Sequence, residues 1–369
     1  MTIKRCVCAL LAAALCLYLC ACGEGEPPKP EDALNIWYTD GDAPAYQLAA
    51  LAVDYAAAAG SRPVFMRRFE DEESLAAALD SARPDLLLCS LQKAAELYDR
   101  GLLKDISAAM PASPEYTEDI ASRCAGIGKS IFPIGSEVQL LYSVSGLFEA
   151  GAPDTMAELL TLAANYGRDA GLPFFTADSF GDLIYQAMLA SGEELHGERD
   201  RDINNEAYIS AYNALAEAAF HGGLAVTKYS ARELVDSGYL PCAAACSSSL
   251  VGLSTDAAIS LLPTDGESGS RLVNCLCIAV TAPEGRSVSR IVHYLGWLTD
   301  SARLSALALD SGLVPAVKNA SPVGESALTG ALMKLYDSCP LHLPDGGADY
   351  LTNRAEYENE LRGALEALQ

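Results

Sequence analysis

Apolar positions along this chain switch between two periods. Leu34 to Tyr38 is a short apolar run of strand length, closed by a turn at Thr39 to Pro44, and Tyr46 to Ala59 then takes up helical spacing. Val64 to Phe69 predicts the next strand, Glu73 to Ser81 a helix, Asp85 to Cys89 a buried strand, and Gln92 to Asp99 a helix that stops at Gly101. Strands alternating with helices in this way predict an α/β fold with a mainly parallel sheet. In open sheets of that kind ligands sit beyond the carboxyl ends of the strands, so topology alone points to the turns Tyr38 to Asp42 and Ser90 to Lys93.

From Phe132 to Tyr142 the pattern becomes extended, opened by Pro133 and Gly135, and long enough to carry the chain from one lobe to another. Thr155 with Glu158 and Ser230 with Glu233 have the spacing of capping boxes, the first opening a helix from Met156 to Tyr166. Helices are expected at Ser179 to Ala190 and Glu206 to Phe220, and strands at Ala257 to Leu262 and Val273 to Thr281. Val288, Ile291, Val292, Leu295 and Leu298 then mark one face of an amphipathic helix. No internal repeat is evident.

The first residues do not fit this scheme. Lys4 and Arg5 precede an apolar run from Val7 to Leu19, and Leu19-Cys20-Ala21-Cys22 meets Gly23, a lipobox pattern. The run falls short of the roughly 20 residues that cross a bilayer, and small residues close it, so residues 1–21 read as a signal peptide rather than a retained membrane helix. Cleavage before Cys22 would leave its thiol for lipidation, and anchoring would then come from lipid alone. Residues 22–33, with three prolines and almost nothing to bury, read as the lipidated cysteine and a tether. The expected location is extracytoplasmic, on a cell membrane.

About 340 residues remain, more than one hydrophobic core usually serves, so two lobes are expected. Loss of Lys4 and Arg5 with the leader takes the net charge from −24 to −26, which argues against nucleic acid and anionic lipid as partners but says little about a neutral solute. Past Cys22 the cysteines number seven, an odd count, so at least one stays unpaired, while one disulfide is possible. Cys275 and Cys277 alternate about Leu276 and belong on one strand face. Cys242 and Cys246 lack a second pair at zinc spacing, and no metal or cofactor is expected.

Catalysis finds little support. Gly128-Lys129-Ser130 lacks the earlier glycine of a phosphate loop, which is Arg123 here. The histidines His196, His221, His293 and His342 are scattered, with no His-Glu-x-x-His or Gly-x-Ser-x-Gly run.

Several blocks, in order, resemble the extracellular solute-binding proteins of ABC importers, in the branch of the maltose- and oligosaccharide-binding proteins. These are Leu34 to Tyr38, Arg83 to Leu88 with Glu96 to Ile106, Phe132 to Tyr142, Leu147 to Leu160, and Ala302 to Leu309 with Ser311 to Ala316. The resemblance covers nearly the whole mature chain. It implies a two-lobed periplasmic-binding-protein-like fold with a hinge and an interlobe cleft, residues 34–134 with 280–316 forming one lobe and 135–279 with 317–369 the other.

By position in that family, Asp40, Asp42, Ser90, Gln92, Lys93 and Glu137 fall where the first lobe and hinge hold sugar hydroxyls, and Ser179, Phe180, Ser247 and Ser248 fall on the opposing lobe. Each has a plainer reading: Asp40 and Asp42 as turn formers beside Gly41, Lys93 as a solvated first-turn residue, Ser247 to Ser249 as polar loop. Trp37, inside an apolar strand, reads as core. The family's Tyr-Asn-Lys-Asp run is Tyr142-Ser143-Val144-Ser145 here, its tryptophan after the capping threonine is Met156, and the loop Cys246 to Val251 lacks aromatic rings. Carbohydrate is therefore the family default. The resemblance implies a monomeric receptor without enzymatic activity that passes a small solute to ABC permease subunits. The rivals are a sensory lipoprotein that presents ligand without transport and a glycan-active lipoprotein enzyme.

Overall fold

The computed structural model describes residues 33–39, 44–59, 63–110, 112–149, 151–192, 203–253, 257–264, 271–281, 288–322, 324–339, 341–342 and 348–369. Cys22, Asp40 and Asp42 lie outside them. In chain order the first elements are β1 (Leu34–Thr39), α1 (Ala45–Ala58), β2 (Val64–Phe69), α2 (Glu72–Ser81), β3 (Leu86–Ser90), α3 (Leu91–Asp99), α4 (Glu118–Cys124) and β4 (Ile131–Glu137). The chain continues through β5 (Gln139–Val144), α5 (Met156–Ala170), α6 (Phe180–Ala190), α7 (Glu206–Phe220), α8 (Ala231–Asp236), β6 (Cys242–Cys246) and β7 (Ala257–Leu261). It closes with β8 (Arg271–Leu272), β9 (Asn274–Val280), α9 (Val288–Leu298), α10 (Ser301–Asp310), β10 (Val314–Pro315), α11 (Ala327–Ser338), β11 (Leu341–His342) and α12 (Ala348–Glu366).

Local chemistry sets several of these boundaries. Thr155 Oγ1 accepts from the Glu158 amide at 3.1 Å and the Thr155 amide donates back to Glu158 Oε2 at 3.4 Å, the expected capping box, and α5 ends on Gly171 in the left-handed region. Ser230 caps α8 by accepting from the Glu233 amide at 3.5 Å, but Glu233 does not return the bond, so the second expected box is half formed.

The larger sheet runs β10-β4-β9-β3-β1-β2. β1 is parallel to β2 and β3, whereas β9 is antiparallel to both β3 and β4, and β10 is antiparallel to β4. The sheet is thus mixed, not mainly parallel, because the chain returning from the second lobe inserts β9 in the reverse direction between two co-directional strands. The same insertion corrects the lobe division: β9, placed by sequence in the second lobe up to residue 279, is a central strand of the first. Both faces of β9 are buried, Cys275, Cys277 and Ala279 toward one core and Leu276, Ile278 and Val280 toward another. The cysteines do share a face, and Trp37 is core.

The smaller sheet, β6-β5-β7, is antiparallel and carries the second lobe. One face joins the core that Trp37 and Leu87 occupy, through Leu140, Tyr142, Ala243 and Ala245. The other, with Leu141, Cys242 and Ala244, packs under α5, α6, α7 and the end of α12. Fully burying a large apolar side chain contributes about 1.5–3 kcal/mol, so the shared core fixes the two sheets against each other at the hinge. There Val138 and Ser247 are doubly joined: the Val138 amide donates to Ser247 Oγ at 3.2 Å, and the Ser247 amide to the Val138 carbonyl at 2.8 Å.

Candidate functional site

Two passages of chain between the sheets and the start of one helix meet at one pocket. β4 delivers Glu137 and Gln139 as it hands over to β5, the return into β9 delivers Arg271 and Asn274, and α3 opens at the carboxyl end of β3 with Gln92. The second lobe adds Asp182 and Gln186 from one face of α6, Cys246 from the end of β6, and Arg354 from α12. The cavity itself holds about 40 Å³, and among the described residues its lining has no aromatic ring.

The arrangement is polar and largely interlocked. Arg354 holds Asp182 at two points, Nε donating to Oδ1 at 2.9 Å and Nη2 to Oδ2. Gln186 Oε1 accepts from the Leu272 amide at 2.8 Å, and Gln139 Nε2 donates to the Ser179 carbonyl at 3.0 Å. Ser248 Oγ donates to Glu137 Oε1. Burial raises the Glu137 carboxyl above its ordinary 4.5, the Ser248 hydroxyl and Arg354 offset part of that, and Asp182 and Asp178 add to it. Burial likewise holds the Cys246 thiol well above its usual range, with Glu137, Asp178 and Asp182 reinforcing the shift. Four polar atoms lining the pocket are buried without a hydrogen-bond partner: Gln92 Oε1, Gln139 Oε1, Asn274 Oδ1 and Arg271 Nε.

Beside the pocket, α12 closes the amino end of α6. Glu358 accepts from the amides of Phe180 at 3.1 Å and Gly181 at 2.7 Å and from Ser179 Oγ at 3.3 Å, and Arg362 Nε holds the same carboxylate at 2.7 Å. Free amides at a helix start attract an anion, and here the chain supplies its own.

The expected site residues divide accordingly. Gln92 and Glu137 line the pocket, and Ser248 stands behind Glu137. Ser90 is the cap of α3, accepting from the Lys93 amide at 3.2 Å, and Lys93 Nζ pairs with Glu96 at 2.8 Å. Ser247 is fully buried in the hinge pair with Val138. Ser179 caps α6 through the Asp182 amide at 3.2 Å. Phe180, expected by position among the ligand contacts of the opposing lobe, is fully buried in the core, with the Arg362 guanidinium 5.0 Å from its ring centroid. An apolar ring at a helix start is pulled inward when the second turn of that helix is buried as well.

Gln139, Asp182, Gln186, Arg271, Asn274 and Arg354 were missed. Asp182 and Gln186, four apart on one helix, carried a usable signal; Arg354, brought from near the carboxyl terminus, carried none. Gly128–Ser130 is a short 3-10 turn leading into β4, its serine buried.

Two sheets joined by several chain crossings, with a polar pocket at the crossings, define a two-lobed binding protein of the periplasmic type. The chain belongs to the bacterial extracellular solute-binding protein family, whose model matches residues 50–333. Among solved structures it is similar to the GacH receptor of Streptomyces glaucescens, described unliganded and with acarbose, at 14% identity and a TM-score of 0.73 over 92% of this chain and 95% of that one. A maltose-bound MalE protein of T. maritima matches at 14% identity and a TM-score of 0.72, covering 91% and 95%. An ABC substrate-binding protein of Listeria monocytogenes in complex with cycloalternan matches at 11% identity and a TM-score of 0.72, covering 91% and 94%. At such identities these likenesses establish the fold. No curated relative was detectable by sequence.

Proposed function

We propose that this protein is a lipid-anchored extracytoplasmic receptor that captures a sugar or oligosaccharide between its lobes and delivers it to an ABC permease. The observation that carries the reading is the convergence of Gln92, Glu137 and Asn274 from the first lobe and its hinge with Asp182, Gln186 and Arg354 from the second on one polar pocket. Amides, carboxylates and guanidinium groups make directional hydrogen bonds to hydroxyls, which suits a polyhydroxylated solute. A solute touching both lobes favours the closed arrangement by its differential affinity, and closure is what a permease would read. The ligands named for the similar structures support the sugar class, and the run Leu19 to Gly23 supports lipidation at Cys22. No described helix is long and apolar enough to cross a membrane.

The test is thermal unfolding of the purified soluble protein against sugars, oligosaccharides, polyols, amino acids and peptides. Native-state binding at 100 times the dissociation constant adds about 2.7 kcal/mol, so a cognate sugar class raises the midpoint, and Asp182→Ala with Arg354→Ala abolishes the rise. A rise with amino acids or peptides alone overturns the sugar reading.

A further inference from the structure

Among the fully buried polar atoms of the pocket wall, those without a partner are mostly acceptors. Gln92 Oε1, Gln139 Oε1 and Asn274 Oδ1 are acceptors, buried and unpartnered, against one unpartnered donor, Arg271 Nε. The Gln139 orientation is fixed by its own amide nitrogen, which is spent on the Ser179 carbonyl. Gln92 is only 7% exposed and lies at the pocket wall, so its carbonyl has little access to bulk water. Glu137 adds a carboxylate whose hydrogen-bond partner among the described residues is the Ser248 hydroxyl on Oε1. The other charges around it are engaged: Asp182 with Arg354, Asp178 with the Ala231 and Cys246 amides at 2.9 and 2.7 Å, and the Arg271 guanidinium with the Leu262 carbonyl. Burying an acceptor without a partner is costly, so a bound solute is selected by how many donors it brings.

A neutral sugar hydroxyl offers one donor and two acceptor lone pairs, whereas an ammonium offers three donors and no acceptor. A carboxylate amid acceptors, with no ring for the apolar face of a pyranose to lie on, matches the second better than the first. Resting on the sugar-receptor reading above, we propose that the cleft is specific for amine-bearing sugars, the ammonium held by Glu137 and the hydroxyls by the carbonyls of Gln92, Gln139 and Asn274. The raised carboxyl of Glu137 fits this: an arriving cation compensates the buried charge, so binding is accompanied by proton release.

The experiment is isothermal titration of the purified protein with a β-1,4 glucosamine disaccharide, its N,N′-diacetyl form and cellobiose, three probes that share a backbone and differ at the amine. The expected result is binding of the free amine about 10- to 100-fold tighter than of either neutral probe, as a charge-assisted contact implies. Glu137→Gln should erase that preference while the variant still unfolds cooperatively with a midpoint no lower than the parent's at pH 8, and Asn274→Ala should weaken all binding without changing the preference. Equal or tighter binding of the neutral probes overturns the amine inference and leaves sugar capture standing. Failure of these probes together with every sugar in the unfolding screen overturns both.

Discussion

Arg354 on α12 grips Asp182 on α6 through two parallel hydrogen bonds, and both side chains form a wall of the interlobe pocket. The partners are 172 residues apart in sequence, so the pair is at once part of the site and a clasp between the carboxyl-terminal helix and the second lobe.

Breaking that clasp one partner at a time should leave a partly buried charge uncompensated. Arg354→Ala and Asp182→Ala are each expected to destabilise the fold by about 1–3 kcal/mol, between the exposed and buried limits for ion pairs. The double variant should cost less than the sum, which a double-mutant cycle in urea measures.

Glu358 should matter for folding rather than for binding. Replacing it by alanine strips the acceptor from the Phe180 and Gly181 amides and unpairs Arg362, a loss of about 2–3 kcal/mol for charge-assisted hydrogen bonds. Equilibrium unfolding should report that loss, with solute affinity per folded molecule little changed.

Gly312 sits at φ +74°, and a Cβ there would lie 2.4 Å from the Ser247 carbonyl oxygen. Gly312→Ala therefore combines left-handed strain, about 1–2 kcal/mol, with a clash that pushes the Ser247–Leu250 turn away from the first lobe. A lower unfolding midpoint together with altered solute affinity is expected; affinity unchanged beside a lower midpoint would separate this contact from the hinge.

The Glu137 carboxyl is raised by burial, so the native state holds its proton at pH values where the unfolded chain has released it. Its contribution to stability is therefore fully present below the ordinary carboxylate value and is lost as pH rises through the raised one. Glu137→Gln should lose this slope, and the difference in unfolding free energy between variant and parent should move in the variant's favour from pH 4 to pH 8.

The cysteines described are all free. Cys89, Cys242, Cys275 and Cys277 are buried, and burial raises the thiols of the last three. Cys124, half-buried, is pushed up to about 11, also by burial. Native alkylation at pH 8 should mark Cys339 first and spare the four buried thiols until urea is added, as mass spectrometry of the peptides would show.

Periodicity and capping chemistry determined several elements of this protein almost to the residue: β2 and α7 fall where the pattern put them, and the Thr155–Glu158 box opens α5, whereas α4, β6, α11 and α12 were not anticipated. These are local matters, settled by side-chain spacing within a few residues of chain. The same locality made Gln92, in the first turn of α3 just past β3, visible as a candidate. Sequence could not say that β9 would return between β3 and β4 in the opposite sense, because strand order is decided by which buried faces meet. Nor could it show that Phe180 turns inward beneath Arg362, or that Arg354 and Asn274 reach the pocket walled by Glu137. Those placements come from packing two sheets and a carboxyl-terminal helix around one shared core, where residues far apart in the chain compete for the same space.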